Sequence, residues 1–441
     1  MEIQTGALVI VLAYMVGMMI IGYVVGKINI KGSADYLVAG RRMGLFMVAF
    51  SLSANNIGGG STTGLAQKAF GAWGVSAIWY VLAASLAMIP LAYFAPKIRK
   101  TMAVTIPEVV GRRFGKLSSN FTAVLSVLSL FCLTSSQIGA SGAVINALIP
   151  TIPLNVCLLL AGFVTIFYTT FGGMIADQVS DLIQFGIILV GLAIATPIVL
   201  KHAGGWAAIS AALPGEKLNM TQIGWASIIG YFFNYFCTFL CGPEMVSRFE
   251  TCKDEKTAVR ASFLCAYAPG IITGLISAAI ICATMSSADS NLLCMSTMII
   301  NDIYPGFGGK KKLNDKQTIF YTRLCNVIAA LIAMCISMFG VSLVAMNTFA
   351  FGIRCAGPFA AYGLGLAVPK ATKNSGLISI FTGTIAFVVW QLLSNGGTLW
   401  FMMPVVFGSL VSVITFYVVN LIEWKRGVPA APSAYVVEEA K

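Results

Sequence analysis

The sequence predicts an all-α, polytopic membrane protein of about 12 helices, and three observations carry that reading. First, 58% of the 441 residues are hydrophobic and only 10% are charged, against about 25% charged in a soluble domain. Second, the apolar residues are gathered into segments of membrane-spanning length, separated by short loops that hold most of the Lys and Arg. Third, three of those segments contain polar or glycine-rich interruptions that simple lipid burial gives no reason to keep.

In order, the apolar segments run roughly over 5–26, 44–67, 73–96, 118–148, 154–172, 174–200, 220–248, 258–303, 317–340, 342–368, 375–395 and 398–423. Residues 5–26 lack a preceding basic region and read as a first spanning helix rather than a cleavable signal. Basic residues follow it at Lys27, Lys31, Arg41 and Arg42, which places the N-terminus outside and the following loop in the cytoplasm. Loops 97–116, 248–260, 308–323 and 370–373 and the tail after Trp424 are basic and read as cytoplasmic, whereas connections near 149–154, 340–342 and 394–398 carry no basic residue and read as external. The expected location is the cell (inner) membrane, multi-pass, with the C-terminus in the cytoplasm and lipid as a partner. The net charge of +12 is thereby assigned to loops, and no nucleic-acid partner is expected. Eleven cysteines lie mostly in apolar segments without a CxxC pair, and the single His202 cannot build a histidine metal site. Oligomeric state is not readable.

Charge creates one conflict. Both flanks of 261–303 are basic, so that stretch crosses an even number of times, yet its one strong turn signal, Pro269-Gly270, lies close to its start. A single long helix and a pair of spans both remain open.

The sharpest polar insertion is Ala283-Thr-Met-Ser286-Ser287-Ala-Asp289-Ser290. On a helix Ala283, Ser286 and Ser287 share a face, and Ser286, Asp289 and Ser290 repeat the spacing one turn later. An ionisable residue at membrane depth is a functional-site hypothesis by default. In the second segment, Asn55-Asn56-Ile57-Gly58-Gly59-Gly60 places three glycines in a row, each costing about 1 kcal/mol in a helix relative to Ala. The seventh segment is interrupted at Cys241-Gly242-Pro243-Glu244. Interrupted helices at matching places in two halves point to a transporter binding site at a repeat interface.

These motifs, taken together, resemble the sodium:solute symporter family. The resemblance rests on Asp35-Tyr-Leu-Val-Ala-Gly40-Arg41, the glycine-rich second helix, and Gly172-Gly173-Met-Ile-Ala-Asp177-Gln-Val-Ser-Asp181-Leu-Ile-Gln184. Ser247-Arg248, Lys253-Asp254 and Met285-Ser286-Ser287-Ala288-Asp289-Ser290 through Asp302-Ile-Tyr304 complete it. It implies one transmembrane domain over 1–441, with an extra helix at 5–26, a first repeat at 44–200, an inverted second repeat at 220–368 and two C-terminal helices at 375–423. That is a 5+5 inverted repeat with a broken first helix in each half. The family norm of 13 spans implies that one core helix is missing around residues 261–273.

The resemblance further implies sodium-coupled import of a small-molecule solute by alternating access. For the principal sodium ion it implies ligation by the carbonyls of Asn56, Gly59 and Ala283 and the hydroxyls of Ser286 and Ser287. Unwinding at the glycines frees carbonyls and the serines add two oxygens, as a hard cation requires; the alternative is that these serines bond their own helix. A second sodium would use Asp181, Ser286, Asp289 and Ser290, where two carboxylates favour a cation or leave one protonated. Candidate solute contacts are Asn55, Gln67, Gln137, Tyr231, Asn234 and Glu244. Arg354, the one cation inside an apolar run, could meet a solute carboxylate or an internal acid such as Glu244. No nucleophile–base pair or phosphate-binding loop is present, so an enzyme is not expected. A transport-impaired relic, or a sensor of the same fold, is the alternative to a symporter.

Overall fold

The structure is a computed structural model and describes residues 5–58, 60–267, 278–306, 313–339, 343–395, 399 and 402–435. The principal helices are α1 (Thr5–Asn29), α2 (Leu45–Asn56), α3 (Ile78–Lys100), α4 (Lys116–Leu148) and α5 (Leu154–His202). They continue with α6 (Trp225–Leu240), α7 (Pro243–Thr251), α8 (Glu255–Tyr267) and α9 (Ala278–Met298). The chain ends with α10 (Asp315–Ser337), α11 (Leu343–Cys355), α12 (Lys373–Leu393) and α13 (Pro404–Lys425). Among the described residues the only β-type pairings are isolated bridges.

Seven helical stretches among the described residues are long and apolar enough to cross a membrane unaided. Two other stretches, α2 and the α6–α7 pair, are interrupted where the sequence says so. Helix α2 stops at Asn56, and Ile57 turns to φ −100°, ψ 94° before helical turns resume at Gly60. Between α6 and α7 only Cys241 and Gly242 are non-helical, and Pro243 sits in the first turn of α7, where its missing N–H costs nothing. Helix α5 is two spans joined at Gly173, whose φ of 57° favours glycine and whose missing Cβ would lie 2.7 Å from the ring of Tyr36. This breaks α5 between 154–172 and 174–202, where the hydropathy pattern divides it.

The sidedness conflict resolves as two helices. Helix α8 begins beside the end of α3, through a Lys100–Glu255 contact of 3.4 Å, and its first turn is capped by Asp254, which accepts the Thr257 amide at 2.7 Å. That amide bond holds the exposed Asp254 carboxyl below the usual carboxylate range. The segment after α9 returns to the same end of the molecule, where Asp302 lies beside Thr105 and Glu108. So the second helix of the second repeat is not wholly missing, as the sequence suggested. Its first 13 residues are present and packed on α3 and α2. At 1.5 Å per residue these described residues account for about 20 Å. Residues 268–277, which include the second part of the expected deficit at 261–273, lie outside the described residues.

Helix α9 is central, in contact with α2, α4, α5 and α10. Helices α3, α6, α7 and α8 with α11 to α13 share the largest apolar cluster, while α1 lies along α5. Two charges assigned to loops by sequence position are buried instead. Arg248 is on α7 and fully enclosed. Arg113, on the helix Ile106–Phe114, reaches the carbonyls of Val368 and Pro369.

Candidate functional site

The break in α2 and the serine face of α9 meet. Ser287 Oγ donates to the carbonyl of Asn55 at 3.3 Å. A Cβ built on Gly58 would lie 3.2 Å from Ser287 Oγ and 2.8 Å from Gln137 Nε2, so the unwound chain passes close to both. The freed carbonyls of the break are partly met by hydroxyls. Ser61 Oγ lies 3.1 Å from the carbonyl of Gly58 and 3.5 Å from that of Asn56, and Thr62 Oγ1 donates to Gly58 at 2.9 Å. Ala283 is in the first turns of α9, and Gly59 lies outside the described residues.

Behind this junction is a buried charge cluster. Asp177, Asp181 and Asp289 each offer an oxygen within 4.8 Å of the others. Arg248 Nη2 donates to Asp177 at 2.6 Å and to Asp181 at 3.0 Å, and its Nε donates to Ser51 Oγ at 3.1 Å. Both Ser51 and Ser286 donate to Asp181. Ser290 lies against Asp177 and Arg248 and back-bonds to the carbonyl of Ser286 at 2.8 Å. Asp289 Oδ1 accepts the Ser290 amide at 2.8 Å, whereas its Oδ2 has no partner among the described residues. A buried carboxylate oxygen without a donor is costly unless a cation or proton meets it. The residues present therefore suit a hard monovalent cation: neutral oxygens on one side, surplus carboxylate on the other.

The solute candidates divide. Asn55, Gln137 and Glu244 line a cavity of about 50 Å³ enclosed by α2, α3, α4, α6, α7, α9 and α11, a few waters' worth of space. Gln67 is exposed, and Tyr231 and Asn234 are half-buried and outside the cavity lining. Tyr231 packs instead at an angle against Trp73 and edge-on against Tyr80, at 5.7 and 5.4 Å between ring centroids. Arg354 meets Glu244 in a two-pronged pair at 2.7 and 2.5 Å, the internal-acid option the sequence raised. Sequence reasoning missed Asp177 and Arg248. The available signal was Asp177 and Asp181 at i, i+4 on one face of an apolar segment. It also missed Asn291 and Asn347, which line the cavity.

Comparison with known proteins gives the family and the fold. The family profile for the sodium:solute symporter family matches residues 36–268 and 218–383, and the chain belongs to that family. Sodium/proline symporters of Staphylococcus aureus, from strains bovine RF122 / ET3-1 and JH9, are each 24% identical over 484 aligned positions, covering 95% of this chain and 93% of theirs. Among solved structures, a Na+-coupled sialic acid symporter in a substrate-bound outward-open state superposes with a TM-score of 0.74 at 17% identity, covering 98% of this chain and 99% of that one. A nucleobase-cation-symport-1 family transporter in a closed conformation gives 0.51 at 14% identity, over 90% and 95% of the two chains. The fold is that of the leucine-transporter type, sodium is the coupling ion, and the chain is a multi-pass membrane protein.

Proposed function

We propose that this protein imports a small organic solute on the inward sodium gradient by alternating access. The observation that carries the reading is the junction of Ser287 with the broken end of α2, two oxygen-rich elements facing each other at membrane depth. The principal sodium ion is held by the carbonyls of Asn56, Gly59 and Ala283 with the hydroxyls of Ser286 and Ser287. A second is held by Asp181, Ser286, Asp289 and Ser290, with Asp177 and Arg248 fixing those groups. The solute occupies the adjoining cavity, touching Asn55, Gln137 and Glu244. The two repeats, 44–200 and 220–368, rock about this site in the cell membrane, with the N-terminus outside and the basic loops in the cytoplasm. Sodium bound between α2 and α9 ties the two elements together, which is how its binding energy reaches the solute cavity.

A second reading, a protein that binds sodium and solute without moving them, makes a different prediction. Proteoliposomes under an imposed sodium gradient separate the two. Sodium-driven accumulation of any solute from a broad panel establishes transport, and sodium-dependent binding without accumulation establishes the alternative.

A further inference from the structure

We infer that the cavity takes an uncharged ring solute bearing several hydroxyl or amide groups, and excludes amino acids and carboxylates. This rests on the reading of the cavity as the solute site and on its widening, in alternating access, beyond the volume of about 50 Å³ it has here. Among the described residues of the cavity wall Glu244 is the one carboxylate and none is basic, and Arg354 pairs with Glu244 from behind. Both terminal nitrogens of Arg354 donate to Glu244, its Nε is buried without a partner among the described residues, and the fully buried guanidinium sits 5.2 Å from the ring of Phe351. Among the described residues of the wall no side-chain cation is left to receive a solute carboxylate, and no unpaired carboxylate to receive an ammonium. The charge of a sodium ion at Ser286 and Ser287 is met from behind by Asp181, which already accepts the Ser286 hydroxyl.

What the wall offers instead is carboxamide. Asn55 Nδ2, Asn291 Oδ1 and Asn347 Oδ1 are buried and without partners among the described residues, and all three side chains line the cavity. They come from three different helices, α2, α9 and α11, so one ligand with several polar groups can reach them together. Because a carboxamide presents a donor and an acceptor side by side, its natural complement is a group that also does both, a hydroxyl or an amide. A buried polar wall of this kind discriminates strongly against ligands that leave it unpaired. Tyr80, Tyr235 and Phe239 supply aromatic surface on the same cavity, suited to the flat or C–H face of a ring. Sugars and cyclic polyols share this chemistry with ureido heterocycles.

The test is thermal unfolding of the full-length purified protein, in sodium and in potassium. One arm is glucose, galactose and myo-inositol, a second is uracil and hydantoin, and the charged comparison is L-proline and sialic acid. The expected result is sodium-dependent stabilisation by at least one neutral arm, which then names the source, and none by the charged pair. Asn347→Leu should weaken the responding solute by about tenfold while sodium alone still stabilises. Stabilisation by L-proline or sialic acid, or silence from both neutral arms, overturns the inference. The same panel run as sodium-driven uptake separates the two readings: binding of a neutral solute without accumulation removes the symport reading and leaves this one standing.

Discussion

Two arginines are fully buried here, and their surroundings differ by a simple charge balance. Arg354 faces one carboxylate, Glu244, in a two-pronged pair. Arg248 faces Asp177 and Asp181, with Asp289 completing a trio of carboxylates whose oxygens lie within 4.8 Å of one another. A one-to-one pair is self-sufficient: it closes the cavity wall without lending it charge. A one-to-three cluster is not, and its surplus is a standing attraction for another cation. The first therefore reads as scaffold and solute filter, the second as part of the ion machinery.

The largest effect should come from breaking the cluster. Arg248→Met leaves two buried carboxylates without their cation and should cost roughly 3–5 kcal/mol, seen as failure to fold or a steep fall in unfolding temperature in detergent. Wild-type stability in that variant would mean the guanidinium is not the cluster's anchor. Arg354→Met should also destabilise, but here the matched double change Glu244→Gln with Arg354→Met should return to within about 1 kcal/mol of wild type. A double variant as unstable as the single one would show that the pair is not self-contained.

Asp289→Asn sharpens the comparison from the other side. Removing surplus charge should raise stability without sodium by about 1 kcal/mol and shrink the additional stabilisation that sodium gives. An unchanged sodium response in this variant would remove Asp289 from the ion site. Smallest of all is Gly58→Ala. Its new methyl meets the flexible end of Gln137 and the hydroxyl of Ser287, so stability should change by only roughly 0.5 kcal/mol. Sodium affinity, read by titration, should fall more than stability does.

Much of this arrangement was legible in the chain. Glycines at 58–60 and the Cys241-Gly242-Pro243 run mark both broken helices, because glycine disfavours a regular helix and proline cannot continue one from the preceding turn. The serine ladder is legible because hydroxyls at i, i+3 and i+4 have no packing reason in an apolar run. Arg248 was not legible as a buried residue. Counting basic residues along a loop cannot tell a solvated arginine from one folded back over a helix, and its acids lie 67 and 71 positions away in sequence. The same holds for the cavity amides: Asn291 and Asn347 look like ordinary polar residues in their helices until tertiary packing turns them inward. The division of 255–303 into α8 and α9 needed contacts at both ends, Glu255 with Lys100 and Asp302 with Thr105, that no local signal supplies.

The central claim is that α2 and α9 hold sodium between them, and a sodium titration of thermal stability tests it most directly. Wild-type protein should gain stability as sodium replaces potassium, and the Ser286→Ala, Ser287→Ala double variant should fold but show no such gain. A double variant that is stabilised by sodium as strongly as wild type would contradict the account.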